Sequence, residues 1–282
     1  MDTSPWQGRR VLVTGCTGFL GGCVTRELLD RGATVVGLLR DRTGGAAFAS
    51  ERTTKQFFPV HGLVEDATRL HSAMAVHEVS AVFHLATSAP FGSDRGTVSV
   101  LRAVALYHPR IPVVMARPSG QLRLVLEDDD RPAISVGIAR FGELFGGGDR
   151  KLFRLVPRTV LDLLTHNPAT ATDGPGRDFV WVRDAARACL AVAEAVGAGG
   201  EPLDFTFRTG WDFGERTMAG FIEEVFAGRT PELPVSEAAV NPLGWQPTES
   251  LSQAIGGTIA WYREFVKTRF VGTRAATGRK AA

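Results

Sequence analysis

Gly15, Gly18 and Gly21 recur at every third position between a short apolar run, Val11-Leu12-Val13, and a stretch of helical spacing over 23–31. This reads as strand, tight turn, helix, because glycine punctuates a chain where no side chain can be accommodated. Further strands are expected over 34–39, 57–63, 81–85 and 111–115, with helices over 67–77 and 97–107 between them. Strands alternating with helices at this interval predict βαβ units and a parallel sheet covered on both faces. The second half is less regular: a strand over 134–140, a glycine turn at Gly146-Gly147-Gly148, a helix over 155–164 and an extended stretch over 177–182. A helix over 184–196, a strand over 203–207 and a helix over 217–226 follow.

The expected fold class is therefore a Rossmann-type, doubly wound parallel α/β sheet carrying a small C-terminal α/β substrate lobe. Residues 1–142 and 177–208 are assigned to the sheet domain and residues 143–176 and 209–270 to the lobe. The stretch 271–282, without periodicity, is expected to be a flexible tail. At 282 residues and 44% hydrophobic, the chain has mass enough for that core. A formal net charge of +2, with no basic cluster interleaved with aromatics, argues against a nucleic-acid partner. Three widely spaced cysteines without a C-x-x-C pair suggest neither a disulfide framework nor a metal site. The absence of a long apolar run argues against a membrane span, and a cytoplasmic protein is expected.

The glycine turn carries the first functional expectation. Its backbone can approach a pyrophosphate closely, and the N–H groups of the following helix present positive potential to it. Placed after the first strand of a βαβ series, Gly15, Thr17, Gly18, Phe19, Leu20 and Gly21 are expected to hold a dinucleotide. Arg40 and Asp41 fall at the end of the second strand, where an acid binds the ribose 2′-OH and an arginine a 2′-phosphate. The arginines there favour NADP, and Asp41 keeps NAD open. Glu65 and Asp66 after the third strand, and Leu85, Ala86 and Thr87 after the fourth, are candidates for the adenine side.

These residues resemble the extended short-chain dehydrogenase/reductases that act on nucleotide sugars, the NAD-dependent epimerase/dehydratase family. Thr14-Gly15-Cys16-Thr17-Gly18-Phe19-Leu20-Gly21 is similar to the family's cofactor turn, and Val82-Phe83-His84-Leu85-Ala86 to its fourth strand. Arg177-Asp178-Phe179-Val180-Trp181-Val182-Arg183-Asp184 resembles the segment that returns to the sheet after the lobe. Leu243-Gly244-Trp245-Gln246-Pro247 and Trp261-Tyr262-Arg263-Glu264-Phe265 resemble its C-terminal signature. Within the family, the stretch 140–149 and Arg154-Leu155-Val156-Pro157 are most similar to 4,6-dehydratases of the CDP-glucose type. The resemblance implies a nucleotide sugar as partner, a homodimer, and a substrate-binding role for Arg177 at the pyrophosphate, with Arg154 beside it. A guanidinium suits a phosphate because its planar fork can hold two oxygens.

One part of the resemblance fails. The family's Tyr-x-x-x-Lys pair exchanges a proton with the sugar hydroxyl, and its i, i+4 spacing puts both groups on one helix face. Here the only tyrosines are Tyr107 and Tyr262, followed four residues on by Ile111 and Val266. Arg117 and Pro118 stand where the family has hydroxyl residues at the end of the fifth strand, with Ser119 next in line as a substitute. The helix expected over 119–128 is shorter than the family's catalytic helix. Glu143 falls where the family often has an asparagine near the nicotinamide, which makes it the candidate replacement base. The expected function is an NAD(P)-dependent epimerase or dehydratase with an atypical site; the alternative is a non-catalytic protein that binds NAD(P) or a nucleotide sugar.

Overall fold

The computed structural model describes residues 4–40, 55–86, 95–118, 134–168, 171–196, 202–232 and 240–268. It divides the chain into two compact units. The first comprises Met1–Phe141, Arg183–Phe207 and Asn241–Trp245, and the second Gly142–Val182, Arg208–Val240 and Gln246–Ala282.

In the first unit, strands β1 (Arg10–Thr14), β2 (Thr34–Leu39), β3 (Phe57–His61), β4 (Ala81–His84), β5 (Val113–Pro118), β6 (Val136–Phe141) and β9 (Leu203–Thr206) form a single sheet. Its order is β3-β2-β1-β4-β5-β6-β9, and every pairing is parallel. Central strands buried on both faces read as unbroken apolar runs, which is why Val11, Leu12 and Val13 are all fully buried. Helices α1 (Phe19–Asp30), α2 (Ala67–Val76), α3 (Arg95–Tyr107) and α5 (Val182–Ala195) return the chain between strands. Leu12, Val36 and Val82 pack with Leu70 and Met74 of α2 and Val100 and Val104 of α3 in one core cluster. Trp6, fully buried, donates its indole N–H to Glu194 on α5 at 2.5 Å, tying the first residues to the last helix of this unit.

Strand order reverses between β1 and β4. β1 leads outward to β2 and β3 on one side, and the chain then crosses to β4 on the other. The crevice outside the carboxyl ends at such a reversal is where open α/β sheets bind ligands.

The second unit is built on a three-stranded sheet, β7 (Glu143–Phe145), β8 (Arg177–Trp181) and β10 (Asp212–Phe213), in the order β10-β8-β7. Helices α4 (Leu155–Leu164), α6 (Glu215–Phe226) and α7 (Leu251–Val266) cover it, around Phe145, Phe179, Trp181, Met218 and Ile255. A capping box between Ser250 and Gln253 starts α7.

The boundary differs from the sequence expectation in two places. Residues 177–182 join the smaller unit, because β8 pairs in parallel with β7 and antiparallel with β10. Residues 241–245 join the larger one, where the Trp245 indole N–H donates to the Asp184 carbonyl at 3.1 Å. Strand β5 also continues through Arg117 and Pro118, beyond its expected end at Met115, because its register with β6 runs unbroken to Pro118↔Phe141. The helix expected over 119–128 and the tail over 271–282 lie outside the described residues.

Candidate functional site

The turn between β1 and α1 is shaped by what its glycines leave out. Gly15 has φ +72°, and a Cβ there would stand 2.6 Å from the Ala86 nitrogen and 2.8 Å from the Leu85 carbonyl carbon. At Gly21 a Cβ would sit 2.0 Å from the Gly15 oxygen. The two positions thus let the turn fold onto both the end of β4 and its own helix. Gly18 is the N-cap of α1; its N–H donates to the Gly15 carbonyl at 2.9 Å, and its carbonyl accepts the first helical bond from Gly22 at 2.8 Å. The N–H groups of Phe19, Leu20 and Gly21 therefore stand at the open end of the helix. No acidic residue occupies that first turn. A turn with glycine at 15, 18 and 21, a helix N-terminus and no acidic residue in its first turn fit a pyrophosphate.

Cys16, beneath the turn, is fully buried and lies 3.6 Å from the Leu38 carbonyl. Burial pushes its thiol up to about 11, so it fills space and does not act as a nucleophile near neutral pH.

A buried polar chain beside the turn was not legible in the sequence. His84, at the end of β4, has its Nδ1 2.8 Å from Thr14 Oγ1 and its Nε2 2.9 Å from Thr97 Oγ1. Thr14 Oγ1 also accepts the Ala86 N–H at 3.3 Å, and Arg117 Nη2 donates to Thr97 Oγ1 at 3.3 Å. Four side chains thereby join the ends of β1, β4 and β5 to the first turn of α3. With both ring nitrogens engaged, His84 serves as a brace for the crevice floor. The only sequence signal was the resemblance around His84, since its partners lie 70 and 13 residues away.

The remaining crevice candidates are placed less uniformly. Leu85 and Ala86 lie directly against Gly15. Arg40 is exposed at the end of β2. Asp66 caps α2, accepting the Arg69 N–H at 2.9 Å, and the Glu65 carbonyl accepts the Ser99 hydroxyl at 2.9 Å. Asp41, Thr87 and Ser119 lie outside the described residues.

In the second unit, Glu143 on β7 and Arg154 at the N-cap of α4 approach to 3.9 Å, and Arg154 reaches the buried Asp149 carboxylate at 3.2 Å. Arg177 Nη2 is 2.6 Å from Glu215 Oε1, so the expected phosphate-binding arginine is engaged with a carboxylate.

One tyrosine has its hydroxyl engaged, and the other stands at the far end of α3. Tyr262 is fully buried and donates its hydroxyl to the Asp149 carbonyl at 2.6 Å. Burial pushes its ionisation well above the usual phenol range. Tyr107 ends α3 at the far end from Thr97; ten residues of helix put about 15 Å between them. Tyr262→Phe is expected to cost about 1–3 kcal/mol of stability, because the Asp149 carbonyl loses its donor, while turnover per folded molecule stays unchanged. Chemical denaturation read beside an activity assay measures both.

Among the described residues, no helix is long and apolar enough to cross a membrane. No group of three or more His, Cys, Asp or Glu is placed there to hold a metal ion.

Residues 11–101 match the model of the NAD dependent epimerase/dehydratase family. The chain is similar to CDP-glucose 4,6-dehydratase of Salmonella typhimurium, 22% identical over 342 aligned positions that cover 95% of this chain and 94% of the relative. Two solved structures share the fold. UDP-glucose 4-epimerase from Thermotoga maritima, solved with UDP-glucose, superposes with a TM-score of 0.69 at 17% identity, covering 91% of this chain and 99% of that one. dTDP-glucose 4,6-dehydratase from Bacillus anthracis, solved with NAD, gives 0.71 at 17% identity over 92% and 98%. The matched segment holds β1, the glycine turn, β4 and most of α3, the same elements that build the crevice. Residues 11–101 thus carry the pattern of the NAD dependent epimerase/dehydratase family, and the solved structures share the fold of the chain.

Proposed function

We propose that this protein binds a nicotinamide dinucleotide on the β1–α1 turn and acts on a nucleotide sugar, with its proton-transfer step carried by a group other than tyrosine. The observation that carries the reading is the pair of glycines whose Cβ positions are already filled by backbone at the strand reversal. Gly15, Gly18, Phe19, Leu20 and Gly21 hold the pyrophosphate, and Thr17 lies on the same turn. Arg40 meets the adenosine ribose, which favours NADP, whereas the similar dTDP-glucose 4,6-dehydratase from Bacillus anthracis was solved with NAD. When bound, the nicotinamide supplies a hydride acceptor and donor.

The chain's own residues supply the rest. The Thr14-His84-Thr97-Arg117 brace keeps the crevice floor rigid. Arg177 and Arg154 orient the sugar nucleotide through its phosphates. Glu143 takes the proton, with the Arg154 guanidinium 3.9 Å from its carboxylate to position it.

A specific observation also supports the second reading, a protein that binds but does not turn over: the Tyr262 hydroxyl is taken by the Asp149 carbonyl, and Tyr107 ends α3 about 15 Å from Thr97. Incubation with NAD+ or NADP+ and either CDP-glucose or UDP-glucose, followed by proton NMR, separates the two. Conversion of a sugar is the expected result. Binding of dinucleotide and sugar with no converted product at long incubation selects the binding protein.

A further inference from the structure

Two arginines from different elements converge on a single carboxylate in the second unit. Arg177, the first residue of β8, lies 2.6 Å from Glu215 Oε1. Arg158, on α4, lies 3.8 Å from Glu215 Oε2, and the Thr172 hydroxyl donates to the same oxygen at 3.1 Å. Glu215 is itself the first residue of α6, after the N-cap Gly214, and so stands at the positive end of that helix. The arginines are 42% and 35% exposed, and the carboxylate between them only 16%.

Two guanidinium groups, a hydroxyl and a helix N-terminus gathered around two oxygens make a receptor for an oxyanion, here filled by the chain's own carboxylate. We propose that Arg158, Arg177 and Glu215 form a diphosphate-binding site in which Glu215 is an internal plug that an incoming phosphate group displaces. The inference rests on the reading of Arg177 as a phosphate contact and adds to it a second arginine and a competing acid. Both arginines keep a third or more of their side chains in solvent, so a ligand that offers both forks an oxygen competes with Glu215 for them. With Glu215 in place the three side chains carry a net charge of +1; without its carboxylate they carry +2. Glu215 therefore lowers the affinity for highly charged anions and keeps the site free of stray phosphate.

Calorimetric titration of the full chain with inorganic pyrophosphate tests this. Glu215→Gln is expected to bind about tenfold more tightly than the native protein, while Glu215→Asp, which keeps the charge, stays close to it. Arg158→Gln and Arg177→Gln are each expected to weaken binding, and Arg177→Gln combined with Glu215→Gln to lose the gain. Glu215→Ala serves where the amide variant melts at a lower temperature. Unchanged or weaker binding in both uncharged Glu215 variants overturns the plug; if Arg177→Gln still weakens binding, the phosphate role of Arg177 survives that result. Tightening in Glu215→Gln with no effect of Arg177→Gln overturns the role of Arg177 and leaves Arg158 as the anchor. No change in any variant removes both.

Discussion

Gly21→Ala and Gly15→Val are each expected to abolish dinucleotide binding while leaving the second unit folded. The smaller change is the sharper one: a single methyl at Gly21 lands 2.0 Å from the Gly15 oxygen, and that atom is backbone, which cannot rotate aside. The turn must open, and the N–H groups of Phe19, Leu20 and Gly21 lose their common aim. At Gly15 the conflict is double, because a β-branched residue would have to adopt φ +72° and also press on Ala86 and Leu85. Each left-handed residue of that kind costs about 1–2 kcal/mol before any clash is counted. Affinity is expected to fall by at least a hundredfold in both variants, read by calorimetry. Near-ultraviolet circular dichroism reads the five tryptophans, of which Trp181, Trp211 and Trp261 lie in the second unit, and retention of the signal shows that the loss is local.

The second large effect concerns the proton. Glu143→Gln is expected to keep dinucleotide affinity and lose turnover by about 10²–10⁴-fold, the usual cost of removing a positioned general base. The amide keeps the shape and the hydrogen-bonding reach of the carboxylate but can no longer accept a proton. Measured kcat should fall with little change in the dinucleotide Kd. Unchanged turnover would eliminate Glu143, and the contrast with Tyr262→Phe would then have to be repeated at other acids of the second unit.

Local patterns carried most of the larger unit. The glycine triplet, the apolar run at Val11-Leu12-Val13 and the helical spacings of α2 and α3 are short-range signals, so their elements read correctly from the chain. What failed was non-local. The extended character of Arg177–Trp181 was legible, but its partner β7 is only three residues long, too short to stand out as a strand. The segment was therefore assigned to the wrong sheet. The apolar run that marks strand β5 ends at Met115, whereas pairing with Arg140 and Phe141 keeps Arg117 and Pro118 extended as well. The tyrosine result divides along the same line. That neither tyrosine has a lysine at i+4 is written in the sequence, but the bond that occupies Tyr262 crosses 113 residues to Asp149. The pairing of Arg177 with Glu215, 38 residues on, was equally out of reach, and it changes what an arginine at that position must do to meet a phosphate.

Dinucleotide binding rests on the crevice at the β1–β4 reversal. Titration of the native chain with NAD+, NADH, NADP+ and NADPH in a calorimeter tests it most directly. Saturable binding of at least one form, lost in Gly21→Ala, is the predicted result. No heat from any of the four at millimolar concentration, with the protein folded, would contradict it.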